Sequence, residues 1–127
     1  MRYLCLIYNE ERILDTMPDH EIEAVANECL AHCETLKESG HLITSARLGS
    51  VQTATTVRAR NGRPLVTDGP FAETKEQLGG FYLIEARDLN EAIRIASNLP
   101  PGRLGCVEVR PISDQYPQQL SDAVADL

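Results

Sequence analysis

Six consecutive apolar residues near the N-terminus, Tyr3–Tyr8, place the strongest limit on how this chain can fold. The run is too short for a typical helix and is rich in residues that favour β-strands, so it predicts a central strand buried on both faces. The chain has 127 residues, the size of one domain whose core is stable without a metal or a disulfide. Its fold must therefore cover both faces of a sheet with few helices.

Two segments with helical periodicity are available for this purpose. The first has start signals at Thr16, Pro18 and Asp19 and is closed by Ser39–Gly40, and the second begins at an N-cap, Asp88, and ends before Pro100. Apolar residues recur along the first at Ile22, Val25, Cys29, Cys33 and Leu36, and along the second at Leu89, Ala92, Ile93, Ala96 and Leu99. Further strands are predicted from His41 towards Leu48, at Phe81–Ala86 and at Cys106–Arg110.

A β-hairpin is predicted around Asn61–Gly62, the dipeptide most typical of a two-residue turn. A two-residue loop fixes the register, so Val57 lies opposite Val66 and Thr55 lies opposite Asp68. Because side chains alternate along a strand, these four share one face of the hairpin. Asp68 is therefore expected at the end of an apolar face.

The order of elements predicts an α+β fold, the ferredoxin-like β-α-β-β-α-β plan with an inserted hairpin. Two helices cover one face of such a four-stranded sheet, and the apolar run at Tyr3–Tyr8 argues against leaving the other face in water. We therefore predict a homodimer that closes sheet against sheet. The domain is assigned to residues 1–112, and the polar segment 113–127 is interpreted as a tail that forms a loose helix or a dimer arm.

The acidic composition excludes some classes of partner. The chain carries 12 Lys and Arg against 19 Asp and Glu, a formal net charge of −7, so no nucleic acid is expected. No segment approaches the roughly 18 apolar residues that span a bilayer, and we predict a cytoplasmic protein without a membrane partner. The four cysteines lie within apolar segments and are interpreted as reduced core residues. The motifs of common nucleotide, hydrolase and zinc sites are absent, so neither cofactor nor metal is expected.

Four segments form a specific set: Thr53–Arg58, Leu65–Glu76 (LVTDGPFAETKE), Leu78–Ile84 and Val107–Ile112. Together they closely resemble the YCII-related proteins of the DGPF type, and the resemblance runs from about Arg2 to Ile112. It implies a bacterial ferredoxin-like subunit that pairs into a dimeric α+β barrel, similar in fold to small degradative enzymes of the muconolactone isomerase type. It also implies a link to extracytoplasmic-function sigma factors, beside which many members are encoded.

In the wider YCII-like group, a histidine on the first helix is paired with an acid as a proposed active-site dyad. This chain departs from that pattern, because the position expected for the histidine falls nearer Cys29, while His32 lies on the flank of the helix stripe. The resemblance therefore does not carry the dyad over to this sequence.

The candidate functional residues centre on Asp68. Beside the Val57 and Val66 pair, its carboxylate is placed as a general acid or base. An Asp-Gly-Pro sequence is also ordinary turn chemistry, in which the carboxylate binds nearby backbone amides. Arg58 is a candidate contact for an anionic ligand, and Phe71 either forms a pocket wall or anchors its loop in the core. The two interpretations of each residue stay open.

Two further patterns also have two interpretations. Gly79–Gly80 either lets a ligand approach the backbone closely or marks a bulge where a strand begins. Arg60 and Arg63 either help to capture an anion or keep the tip of the hairpin solvated.

The leading hypothesis is a homodimer whose barrel encloses a pocket for a small polar or carboxylated metabolite. Asp68 is its candidate catalytic residue, for an isomerisation or elimination without a cofactor. The ligand-binding residues are predicted to be Tyr3, Thr55, Arg58, Phe71 and Tyr82. The alternative is a non-catalytic regulatory or interaction protein associated with a sigma factor.

Overall fold

A computed structural model describes residues 1–113 as a four-stranded sheet, helices on one of its faces, and a separate hairpin. The strands are β1 (Arg2–Asn9), β2 (Leu42–Arg47), β3 (Thr55–Arg60), β4 (Arg63–Asp68), β5 (Gln77–Glu85) and β6 (Gly105–Pro111). The helices are α1 (Glu11–Thr16), α2 (Asp19–Glu38) and α3 (Leu89–Ser97), with short 3₁₀ turns at Val51–Thr53 and Pro100–Leu104.

The sheet has the strand order β2-β5-β1-β6, and every neighbouring pair is antiparallel. β3 and β4 pair only with each other, as a two-stranded sheet inserted between β2 and β5. The predicted α+β class, with a ferredoxin-like order and an inserted hairpin, is therefore confirmed. The tail predicted for 113–127 lies outside the described residues except for Ser113.

Alternate residues of β1 build the core. Tyr3, Cys5 and Ile7 are buried, whereas Leu4 and Leu6 between them are only half-buried. The buried side chains pack with residues of α2, β5, α3 and the segment that follows α3, namely Leu36, Tyr82, Ile84, Ala86, Ala92, Ile95, Ala96 and Leu99. β1 is central as predicted, but described elements cover only one face of it.

Helix α3 begins at its predicted N-cap. The Asp88 carboxylate accepts a hydrogen bond from the Glu91 amide at 2.9 Å, and the Glu91 carboxylate accepts one from the Arg87 amide at 2.9 Å. The first bond satisfies an amide group that the first turn of a helix leaves without a partner, and the second ties the residue before the N-cap to that turn. The helix is amphipathic and buries Ala92, Ile95 and Ala96 against the sheet.

Replacement of Asp88 by alanine is expected to lower the free energy of unfolding by about 1 kcal/mol, because the Glu91 amide loses its acceptor. Urea unfolding followed by far-UV circular dichroism measures the change. Asn90→Ala, two residues further into the exposed first turn, is the matched control and should change the same free energy by less than about 0.5 kcal/mol. Equal losses in the two variants would contradict the capping role.

Candidate functional site

Two of the predicted ligand-binding residues, Tyr3 and Tyr82, lie on the helix-covered face of the sheet. Both are buried in the core, and the Cys33 thiol lies 4.0 Å from the Tyr82 hydroxyl, to which it donates a weak hydrogen bond. The prediction that these tyrosines line one pocket with Asp68 is therefore corrected. The alternation of β1 and β5 turns them towards the helices and turns Leu4 to the other face.

The hairpin has the predicted register, with Val57 opposite Val66 and Thr55 opposite Asp68. Its environment differs from the expectation, since Val57 and Val66 are 62% and 60% exposed and Asp68 is exposed as well. No described element packs on this face, so the apolar surroundings expected for the Asp68 carboxylate are missing from the described part of one chain. A catalytic role for Asp68 stays a prediction.

The Asp-Gly-Pro bend is held against the base of the hairpin by three hydrogen bonds. The Gly69 amide donates to the Ala54 carbonyl at 2.7 Å, and the Thr56 hydroxyl donates to the Gly69 carbonyl at 2.7 Å. The Arg58 guanidinium donates to the Phe71 carbonyl at 3.2 Å. Arg58 thus fastens the bend, and the 79% exposed Phe71 side chain does not anchor its loop in the core.

A cleft of about 290 Å³ lies beside this bend. Glu11 of α1 holds the Val51 side of the cleft in place, because its carboxylate accepts hydrogen bonds from the Ser50 hydroxyl at 2.9 Å and the Val51 amide at 2.7 Å. The lining residues are Val51, Gln52, Gly69, Pro70, Glu73, Thr74 and Gln77. None of the six predicted site residues lines this cleft, so it is not the pocket expected beside Asp68.

Gly79 and Gly80 form a bulge at the start of β5. Gly80 pairs with Ile7 of β1, whereas Gly79 lies at the register shift and has no paired residue in β1. A Cβ at Gly80 would lie 2.8 Å from the Ala46 carbonyl oxygen, and one at Gly79 would lie 3.1 Å from Oδ1 of Asn9. The close approach that these glycines permit is made by the protein's own atoms, which confirms the interpretation as a bulge.

The second face of the four-stranded sheet carries a set of residues that the sequence analysis did not single out. Residues opposite one another in neighbouring strands share a face, so the pairing of β1 with β5 and β6 defines this set. We call it the open face: half-buried Leu4, Leu6, Tyr8, Phe81 and Leu83, and exposed Cys106, Glu108 and Arg110. The alternation of apolar and polar residues in Cys106–Arg110 was the sequence signal that could have identified this face.

The polar side chains of the open face form one connected group. The Tyr8 hydroxyl donates a hydrogen bond to the Glu108 carboxylate at 3.3 Å. Partial burial of the phenol, together with the Glu108 charge, raises the pKa of Tyr8 above its ordinary value. Within residues 1–113, Arg110 makes neither an ion pair nor a side-chain hydrogen bond. The open face therefore combines an apolar floor with a phenol, a carboxylate and a guanidinium that has no ion-pair partner among residues 1–113.

The structure also shows whether the cysteines are paired and whether potential metal ligands lie close together. All four cysteines are free, and Cys106 is exposed on the open face, which corrects the prediction that it is a core residue. The described residues include no cluster of three or more potential ligands for a metal ion. Within the same part of the chain, no helix has the length and apolar character needed to cross a membrane.

Comparison with known proteins gives matches of three kinds. A family model described as the YCII-related domain matches residues 1–115. An uncharacterised protein of Rhizobium meliloti strain 1021 is 42% identical over 123 residues, covering 94% of this chain and 98% of that protein. The solved structure of 5-chloro-2-hydroxyhydroquinone dehydrochlorinase (TftG) from Burkholderia phenoliruptrix AC1100, in complex with 2,5-dihydroxybenzoquinone, matches with a TM-score of 0.50. It is 17% identical and covers 94% of this chain and 98% of that one, a likeness of fold.

Proposed function

This chain belongs to the YCII-related domain family, and from that premise we propose a homodimer that binds a small polar or carboxylated metabolite between two open faces. One observation carries the proposal: the central strands β1 and β5 present an apolar surface that no described element covers, next to the polar groups of β6. Removal of such a surface from water favours association.

A second copy of the chain is the natural cover, because in a two-fold symmetric dimer the same face of each chain meets its counterpart. The hairpin of β3 and β4 adds a local charge contrast, since it carries three arginines and one aspartate in a chain of net charge −7.

The polar groups of the open face support the binding of a small molecule. Once two such faces meet, Tyr8, Glu108 and Arg110 would face a cavity of low polarity, where charged hydrogen bonds are strong. The Tyr8 and Glu108 pair would then supply acid–base chemistry without a cofactor. Asp68 would join it only if the partner covers its face of the hairpin.

The dimer is tested by placing a charge on the open face. Leu6→Asp is expected to convert the dimer into a monomer, because an unpaired carboxylate would be buried between the two sheets. Light scattering at micromolar concentration measures the mass. Leu30→Asp is the control, because Leu30 is 68% exposed on α2 and its substitution should leave the dimer intact.

A monomeric wild-type protein would overturn the dimer, and so would a dimer that survives Leu6→Asp. Binding has its own measurement, a thermal-shift titration with 2,5-dihydroxybenzoquinone, the ligand named for the structural neighbour. A ligand that binds the native state raises the unfolding temperature. A dimer that binds no small molecule would instead favour the alternative, a non-catalytic protein associated with a sigma factor.

A further inference from the structure

Three charged or protic side chains lie along the β6 side of the open face. Tyr8 donates to Glu108 at 3.3 Å, and Arg110 follows Glu108 by two residues, so both side chains of β6 point to the same side of the sheet. Leu4 lies opposite Arg110, and Leu6 lies opposite Glu108. An apolar floor therefore runs directly beside the polar groups.

The charged side chains of β6 on the open face are not arranged as a structural ion pair. Within the described part of the chain, the Glu108 carboxylate accepts from the Tyr8 hydroxyl, and no ion pair joins it to Arg110. The guanidinium thus keeps its five donors, and the carboxylate keeps acceptor positions beyond the one that the phenol uses. A free cation and a partly used acceptor, set side by side over an apolar floor, make a pair of complementary binding groups.

We propose that Arg110, Glu108 and Tyr8 form the recognition site for a small hydroxy-carboxylic acid with a planar apolar body. The proposal rests on the proposed function, because it assigns a ligand class to the same open face. Arg110 binds the ligand carboxylate through the guanidinium fork. Glu108, held in place by Tyr8, accepts the hydrogen bond of the ligand hydroxyl, and the ring lies on the leucines of β1.

The ligand carboxylate and the ligand hydroxyl contribute to affinity in ways that can be measured separately. Isothermal titration of the wild-type protein with benzoate, benzamide, 3-hydroxybenzoate and 4-hydroxybenzoate separates the charge from the hydroxyl. Benzamide should bind at least about tenfold more weakly than benzoate, because a charge-assisted hydrogen bond contributes more than a neutral one. At least one hydroxybenzoate should bind more tightly than benzoate, because its hydroxyl reaches Glu108.

Two variants assign these effects to residues. Arg110→Gln should lose about tenfold or more in affinity for benzoate while keeping the mass of the dimer. Glu108→Gln should bind benzoate as the wild type does and lose part of the preference for the hydroxybenzoate. Arg94→Gln is the matched control, since Arg94 lies on the exposed side of α3 and pairs with Glu91 at 3.4 Å, away from the open face.

The outcomes separate this site from the dimer. A dimer that binds none of the four probes, or an Arg110→Gln variant that binds benzoate with wild-type affinity, would overturn the site and leave the dimer standing. A monomer that binds benzoate through Arg110 would overturn the dimer and leave the site standing. Loss of dimer mass in Arg110→Gln without loss of benzoate affinity would assign Arg110 to a contact between chains and contradict the proposal.

Discussion

Replacement of Ile84 by alanine is expected to lower the free energy of unfolding by about 2–5 kcal/mol. Ile84 is fully buried on the helix-covered face of β5, where it packs with the core residues of β1 and the helices. Truncation of the side chain removes apolar area from the core and leaves a cavity that the surrounding sheet can only partly close. Urea unfolding followed by circular dichroism gives the loss as a lower midpoint at an unchanged slope.

Leu83→Ala is the matched control for this core variant. Leu83 precedes Ile84 in the same strand, but it lies half-buried on the open face. Leu83→Ala removes the same number of carbon atoms as Ile84→Ala but opens no cavity in the core. A smaller loss of unfolding free energy is therefore expected for Leu83→Ala. If the open face pairs with a second copy, that smaller loss also changes with protein concentration. Equal, concentration-independent losses at both positions would contradict the assignment of faces.

Gly105→Ala is expected to cost about 3 kcal/mol or more of unfolding free energy. Gly105 begins β6 opposite Asn9, and a Cβ there would overlap the Tyr8 carbonyl oxygen and lie 2.9 Å from the Asn9 Cα. Both atoms belong to the backbone of β1, so no side-chain rotation relieves the overlap. The strands must separate at this end, which weakens the pairing of β1 with β6.

Gly40→Ala provides the comparison for Gly105. Gly40 follows the end of α2 with φ +81°, and a Cβ at this position would meet no atom within 4 Å. Its only cost is the left-handed backbone, about 1 kcal/mol. Thermal and urea unfolding of the two variants should therefore rank Gly105→Ala well below Gly40→Ala in stability. The reverse order would show that the approach of β6 to β1 is not the reason for the glycine.

The fold follows from the sequence because its signals are local. Asn61–Gly62 fixes the hairpin and its register, and Asp88 marks the start of α3, each through chemistry confined to a few neighbouring residues. The short helix α1 was not predicted, because the contacts that hold it are not local in the sequence. Glu11 bonds to Ser50 and Val51, which are nearly 40 residues away in the chain, and no local pattern records such a contact.

The candidate site was predicted less well because a continuous apolar run hides the orientation of its side chains. In Tyr3–Tyr8 every position is apolar, so nothing in the sequence distinguishes the helix-covered face, which holds Tyr3, from the open face, which holds Tyr8. The alternating strand Cys106–Arg110 does carry that information. Aligned with β1, it would have placed Tyr8 beside Glu108.

The hairpin of β3 and β4 leaves and rejoins the domain at nearly the same point. The bond between the Gly69 amide and the Ala54 carbonyl, at 2.7 Å, joins the two ends of the segment between them. A loop with its ends tied together in this way can lengthen or shorten without displacing the strands on either side of it. Within the described residues, the Asn61–Gly62 turn at the far end of this hairpin is therefore a place where an insertion or a grafted peptide should leave the four-stranded sheet intact.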